Sequence, residues 1–249
     1  MSNTASKFKI GANNDSMIAE LFPKDLSLAP PKLDVPTNLN FNVRIQMDGL
    51  DFLSTLEENS IPVAFFDPQY RGVLDKLGYG NEGVGRGNAR CSLEQMREST
   101  IQEFITSISQ RLIPSGHLFL WMDKFHLCSG FTSWLEGTPL DVVDMMTWYK
   151  GRIGMGYRTR RTSEHLVILQ KKPRRVKGVW RVRNIPDVWY EEVRRGGHTH
   201  KKPIRMQSEL ITAVSNPSDV VIDPAAGSFS VLEACQNSGR NFLGCDLNG

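Results

Sequence analysis

At 249 residues, with 40% hydrophobic and 23% charged residues and a formal net charge of +3, the chain has the composition of a soluble globular protein large enough to bury one substantial core. No stretch approaches the roughly 20 apolar residues of a membrane span, and the opening "MSNTASKFKIGANNDS" has no apolar signal core, so the cytoplasm is the expected compartment and no membrane partner is expected. Cys91, Cys128, Cys235 and Cys245 show no C-x-x-C spacing and have no histidine pair at ligand spacing beside them, which argues for reduced, mostly buried thiols and against a metal site.

Residues 1–41 mix polar residues with Pro30, Pro31 and Pro36 without a sustained period, as expected of a loosely structured N-terminal arm. From Asn42 the pattern becomes regular. "NVRIQMD" alternates as a strand does, "GLDFLSTLEEN" reads as a short helix, and "IPVAFF" as a buried strand that ends in Asp67, Pro68, Gln69 and Tyr70. Six glycines between Gly72 and Gly87 then point to a loop. Ser92 and Gln95 fit a capping box for a helix whose apolar stripe is Leu93, Met96, Ile101, Phe104, Ile105, Ile108 and Leu112.

"GHLFLWMD", "VVDMMTWYK" and "HLVILQK" read as further strands, with "RIGMGYRTRRTSE" as the turn of a late hairpin. "KKPIRMQSELITAVS" is an amphipathic helix, and "DVVIDPAAGSFSVLEACQNSGRNFLGCDLNG" supplies strand, tight turn, helix and strand. This rhythm predicts an α/β fold: one mostly parallel sheet with a late β-hairpin and helices on both faces.

Two strand tips carry candidate chemistry. In the second, a strand ends in Asp223, turns through Ala225, Ala226, Gly227 and Ser228 into a helix, and the next strand ends in Asp246, 19 positions after Gly227. Small residues let backbone approach a ligand, and an acid at the second tip accepts hydrogen bonds from ribose hydroxyls. With a single glycine anchoring the turn, the dinucleotide fingerprint is absent, and a nucleoside cofactor without phosphates, such as S-adenosylmethionine, fits better. Charge is equally uneven: Lys150 to Lys202 holds 16 of the 30 Lys and Arg residues and 4 of the 27 acids, interleaved with Tyr157, Trp180, Trp189 and Tyr190. That is the footprint of a polyanion-binding face.

Taken together, the two tips resemble the DNA amino-methyltransferases, which carry a D-P-P-Y-type tetrapeptide. "DPQY" precedes "DPAAGS", which resembles the permuted, beta-class order with the catalytic half first. "MDGLDFLSTL" is similar to the family's G-D-x-x-x-x-L element, "TWYK" with the following hairpin to its W-x-K segment and an acid before the last strand, and "HTHKKP" to its H-x-x-x-K-P helix. The resemblance covers residues 42–249 and implies a Rossmann-like methyltransferase domain. Within it, 42–172 would form the catalytic half, 173–197 a short basic DNA-contacting insert, and 198–249 the cofactor-binding half.

The resemblance implies that Asp67, Pro68, Gln69 and Tyr70 carry catalysis on the N6 amine of a flipped adenine in double-stranded DNA. It implies that Asp48, Asp67, Lys202, Asp223, Ala225, Gly227, Ser228 and Asp246 hold S-adenosylmethionine. Arg158, Arg160, Arg161, Arg174, Arg175, Lys177, Arg181, Arg183, Arg194 and Arg195 are the candidate nucleic-acid contacts. The small insert implies relaxed or short sequence specificity in a bacterial or phage-encoded, nucleoid-associated enzyme. Three positions depart from the family: Gln69 for a second proline, Ala225 for phenylalanine and Phe229 for a second glycine.

The residues leave alternatives open. An RNA adenine methyltransferase family shares the motif order, with tryptophan where this chain has Tyr70, and the cytosine-N4 branch usually begins its tetrapeptide with serine rather than an acid. A lapsed homologue that only binds nucleic acid is the non-enzymatic reading. Many relatives dimerise, so a homodimer is a further expectation, although no segment reads as a dimer face.

Overall fold

The computed structural model describes residues 39–69, 96–154, 159–192 and 201–248. Most of the N-terminal arm, the glycine-rich segment, Tyr70 and the proposed capping box lie outside them. Within the described residues, eight strands form one sheet: β1 (Ile45–Gln46), β2 (Ile61–Phe66), β3 (Leu112–Met122), β4 (Leu140–Tyr149), β5 (Ser163–Lys171), β6 (Val188–Tyr190), β7 (Val220–Asp223) and β8 (Asn241–Asp246). Their spatial order is β1-β8-β7-β2-β3-β5-β4-β6. β5 runs antiparallel to both β3 and β4, and the remaining neighbours are parallel.

Alternation along the central strands builds two cores. Ala64 and Phe66 of β2, with Leu118 and Leu120 of β3 and Ile222 of β7, face a layer of α1 (Gly49–Ser54) and α2 (Glu98–Arg111). Val63, Phe65, Phe119, Trp121 and Val221 face the other layer, made of α4 (Ile204–Val214) and α5 (Ser230–Ser238). Strands covered on both faces need unbroken apolar runs, which is why "IPVAFF" is buried at every position. In the first layer Phe66 stacks on Phe104 of α2, ring centroids 5.0 Å apart. Burying each such ring contributes about 1.5–3 kcal/mol.

Several elements differ from expectation. The first strand shortens to two residues and the first helix to six. Helix α2 begins at Glu98 behind Arg97, whose side chain makes no capping hydrogen bond, so the helix starts later than a cap at Ser92 would place it. The short helix α3 (Lys124–Ser129) and a 3-10 turn at Thr132–Leu135 carry no readable period. The basic segment after β5 also contributes a strand, because Val188, Trp189 and Tyr190 pair in parallel with Thr147, Trp148 and Tyr149.

This topology sets where a site can lie. From the β7–β2 boundary the chain winds outward in both directions, to β8 on one side and β3 on the other. Such a switch point opens a crevice at the carboxyl ends of the strands.

Candidate active site

Five adjacent parallel strands each lead into an aspartate at this edge: Asp48 after β1, Asp246 on β8, Asp223 on β7, Asp67 after β2 and Asp123 after β3. The outer two are helix caps. Asp48 Oδ1 accepts from the Leu50 and Asp51 amides at 2.8 and 3.2 Å, and Asp123 Oδ1 from those of Phe125 and His126 at 2.8 and 2.9 Å. The carboxylate of Asp48, expected to face the cofactor, is therefore engaged at least in part by α1.

The next two shape the turn after β7. Asp246 Oδ2 accepts from the Gly227 amide at 3.1 Å and Asp223 Oδ1 from Ala225 at 3.2 Å, while the Ala226 amide donates to the Cys245 carbonyl at 2.9 Å. Gly227 is exposed with φ +48°, and a Cβ there would meet nothing within 4 Å, so its backbone is open to a ligand. Ser228 beside it is half-buried. Gly244 has the opposite reason to be glycine: a Cβ on it would lie 2.4 Å from the Asp223 carbonyl oxygen. Burial pushes the Asp223 carboxyl well above the ordinary carboxylate range, opposed by the Ala225 amide and reinforced by the nearby charges of Asp67 and Asp246.

Helix α5 opens behind Phe229, whose side chain makes no capping hydrogen bond to its first turn. An open backbone turn, a helix start without a side-chain cap and an acid at the neighbouring strand tip fit a nucleoside with an aminocarboxylate tail, and a phosphate cradle is not needed to explain them.

Asp67 has a partner that the sequence assigned elsewhere. The Lys202 ammonium, expected to hold the cofactor, lies 2.9 Å from Asp67 Oδ2 and 3.0 Å from Glu164 Oε2, and 4.6 Å above the Trp121 ring. The other Glu164 oxygen accepts from the Lys150 ammonium, which sits 4.9 Å above the Trp148 ring. Burial disfavours both charged forms, but the facing opposite charges prevail: Glu164 is held down at about 2 and Lys202 is raised above its ordinary range. Of these neighbours, Trp148 and Lys150 are signalled by the W-x-K spacing, since residues two apart on a strand share a face. Glu164 is the acid that the resemblance places before the last hairpin strand. The pairing of Glu164 with Lys202 and the place of Trp121 have no sequence signal.

The rest of the tetrapeptide is only partly described. Pro68 is buried, and Gln69 is exposed with its carbonyl accepting from the Met96 amide at 2.8 Å.

The basic residues divide between two edges. Arg160 and Arg161 lie in the β4–β5 connection at the carboxyl edge, where Arg160 Nε donates to the Gly154 carbonyl at 2.9 Å. Arg161 and Lys124 both sit over the Phe125 ring, at 5.8 and 5.5 Å. Strand β5 then carries the chain to the far edge. There Arg174 faces Asp141 at 3.5 Å, the Arg175 backbone is bound by the Gln170 amide group, and Arg181 donates to Asn216 at 2.6 Å. Lys177 and Arg183 are exposed on the same segment, so this group does not join the aspartate tips. Arg158, Arg194 and Arg195 lie outside the described residues.

A doubly covered sheet with a glycine turn and paired acids at its switch point is a Rossmann-like site for a nucleoside cofactor. Residues 99–249 match the family model for the N6 and N4 DNA methylases, and the chain belongs to that family of DNA amino-methyltransferases. It is 54% identical over 207 residues, 83% of this chain and 91% of the relative, to the Type II methyltransferase M.HhaII of Haemophilus parahaemolyticus. Among solved structures it is similar to the M1.HpyAVI–SAM complex, with TM-score 0.57 and 18% identity over 81% of this chain and 90% of that one. It is also similar to the cytosine-N4-specific PvuII DNA methyltransferase, with TM-score 0.62 and 13% identity over 84% of this chain and 83% of that one.

Proposed function

We propose that this DNA methyltransferase acts on the N6 amine of an adenine flipped out of duplex DNA. The observation that carries the reading is Asp67 at the tip of β2, across the switch point from the Asp223–Gly227 turn. The cofactor is S-adenosylmethionine, which supplies an electrophilic methyl when bound; Gly227, Ser228, Asp246 and the first amides of α5 are the groups that would hold it. M1.HpyAVI, whose fold this chain resembles, was solved as a complex with that molecule.

Adenine's exocyclic amine is a poor nucleophile because its lone pair is delocalised into the ring. Asp67 accepts a hydrogen bond from the amine and the Pro68 carbonyl accepts another, which favours a tetrahedral nitrogen with its lone pair aimed at the methyl. The Lys202 ammonium faces the Asp67 carboxylate and balances its charge. Placement and fixed charge supply the acceleration without a covalent intermediate. Tyr70 is the stacking platform for the extruded base, returning about 1–3 kcal/mol of the unstacking cost.

An acid opens the tetrapeptide here, as in the adenine branch, whereas serine is usual in the cytosine-N4 branch. The relative at 54% identity is a Type II methyltransferase, which favours a role in restriction-modification and a short fixed target over relaxed specificity. The test is methyl transfer from labelled cofactor to unmethylated DNA and to RNA, with nucleosides identified by mass and Asp67→Ala run in parallel. N6-methyladenine in DNA that vanishes in the variant is the expected result. N4-methylcytosine, or a product in RNA alone, would overturn the base or the polymer.

A further inference from the structure

Glu164, the second residue of β5, lies opposite Trp148 in the hairpin register, well apart in sequence from both Asp67 and Lys202. Its two oxygens take two ammonium groups from different parts of the chain: Lys150, just past β4, and Lys202, just before Pro203 at the entrance of α4. The two indoles beneath those ammonium groups touch edge to face, Trp121 to Trp148 at 6.1 Å. Lys202 carries the chain of contacts on to Asp67 Oδ2. The result is an alternating row, Lys150, Glu164, Lys202, Asp67, that runs from the hairpin to the tip of β2.

Lys202 belongs to no helix or strand, and a four-carbon ammonium has many rotamers, so contact with Asp67 alone would not fix its position. Glu164 pulls on the ammonium from the other side, and Lys150 in turn anchors Glu164. The Trp121 face closes a third direction. With the ammonium fixed, the carboxylate facing it has one preferred orientation.

We propose that Glu164 is a positioning residue for methyl transfer, acting through Lys202 to fix the orientation of the Asp67 carboxylate. This rests on the reading of Asp67 as the acceptor for the target amine.

The test is a double-mutant cycle in the full chain with S-adenosylmethionine and duplex DNA: Glu164→Gln, Lys202→Met and the pair, each assayed for kcat, KM for DNA, cofactor affinity by calorimetry and thermal midpoint. Misplacing a reacting group by about 1 Å costs on the order of 100-fold in rate. Glu164→Gln is therefore expected to lower kcat by roughly 10- to 100-fold while leaving KM for DNA unchanged. The pair should be no slower than Lys202→Met alone, because Glu164 acts through that lysine. Wild-type kcat in Glu164→Gln, or a loss that multiplies in full onto that of Lys202→Met, would overturn the proposal. The second outcome also identifies a merely structural role if the variant melts early. Failure of the underlying reading looks different, since Asp67→Ala would then methylate as the wild type does.

Discussion

The guanidinium of Arg44 lies 5.1 Å from the centroid of the Phe229 ring, and Phe229 holds a left-handed backbone, φ 55° and ψ 36°, at the start of α5. The ring is buried and meets Phe242 edge to face at 6.1 Å. A position where the family resemblance implies glycine thus keeps glycine's backbone while filling the space behind it. Left-handed geometry costs a side-chain residue about 1–2 kcal/mol, whereas emptying a buried phenylalanine site costs about 3–5 kcal/mol. Packing wins, so Phe229→Gly is expected to destabilise the protein by about 1–4 kcal/mol in chemical denaturation. A variant at least as stable as wild type would mean that the ring is not packed as described.

His117 gives the fold a pH dependence remote from the carboxyl edge. Burial lowers its pKa from 6.5 to about 4, and its Nδ1 has no partner among the described residues. The unfolded chain takes up a proton near 6.5 that the folded chain refuses until about 4, so stability is full above 6.5 and falls as pH drops through that window. The loss amounts to about 3 kcal/mol. Denaturation midpoints at pH 7 and pH 5 should differ in wild type, and the difference should shrink in His117→Phe.

Gln207 on α4 is buried, and among the described residues neither its amide nitrogen nor its amide oxygen has a hydrogen-bond partner. An unsatisfied buried polar group costs about 1–3 kcal/mol. Gln207→Met keeps the length and removes the cost, so its thermal midpoint should rise. A fall would show that the amide has a partner, and calorimetry with S-adenosylmethionine would say whether that partner is the cofactor.

The two basic edges should behave differently on DNA. Arg160→Ala at the carboxyl edge is expected to weaken duplex binding and to make the dependence of log affinity on log salt shallower by about 0.9, the share of a single phosphate. Arg174→Ala with Lys177→Ala, on the far edge, should leave methylation of a short duplex near wild type. Equal effects from both sets, measured by fluorescence anisotropy over a salt series, would mean that DNA reaches both edges.

What the sequence made legible follows from locality. Asp67, Asp223 and Asp246 each end an apolar run, so their place on strand tips could be read without knowing the sheet. The partnership of Lys202 with Glu164 and Asp67 could not, because it joins three separate segments and exists only once the sheet has formed. The basic run misled for the same reason. Contiguous in sequence, it is divided by β5, which delivers Arg174 and its neighbours to the edge opposite Arg160. Asp48 shows a further limit, since an acid before a short helix reads equally well as a ligand or a cap.

The central pairing of the sheet also has a consequence in time. Val63 and Ala64 of β2 lie beside Val221 and Ile222 of β7, so the middle of the sheet joins an early strand to a late one. Contacts so distant along the chain close slowly and late, after local helices and the hairpin have formed. On the ribosome, Asp67 would emerge long before the Asp223–Gly227 turn. Methylation competence should therefore require that β7 and its turn have emerged, with no activity in a nascent chain that stops short of them.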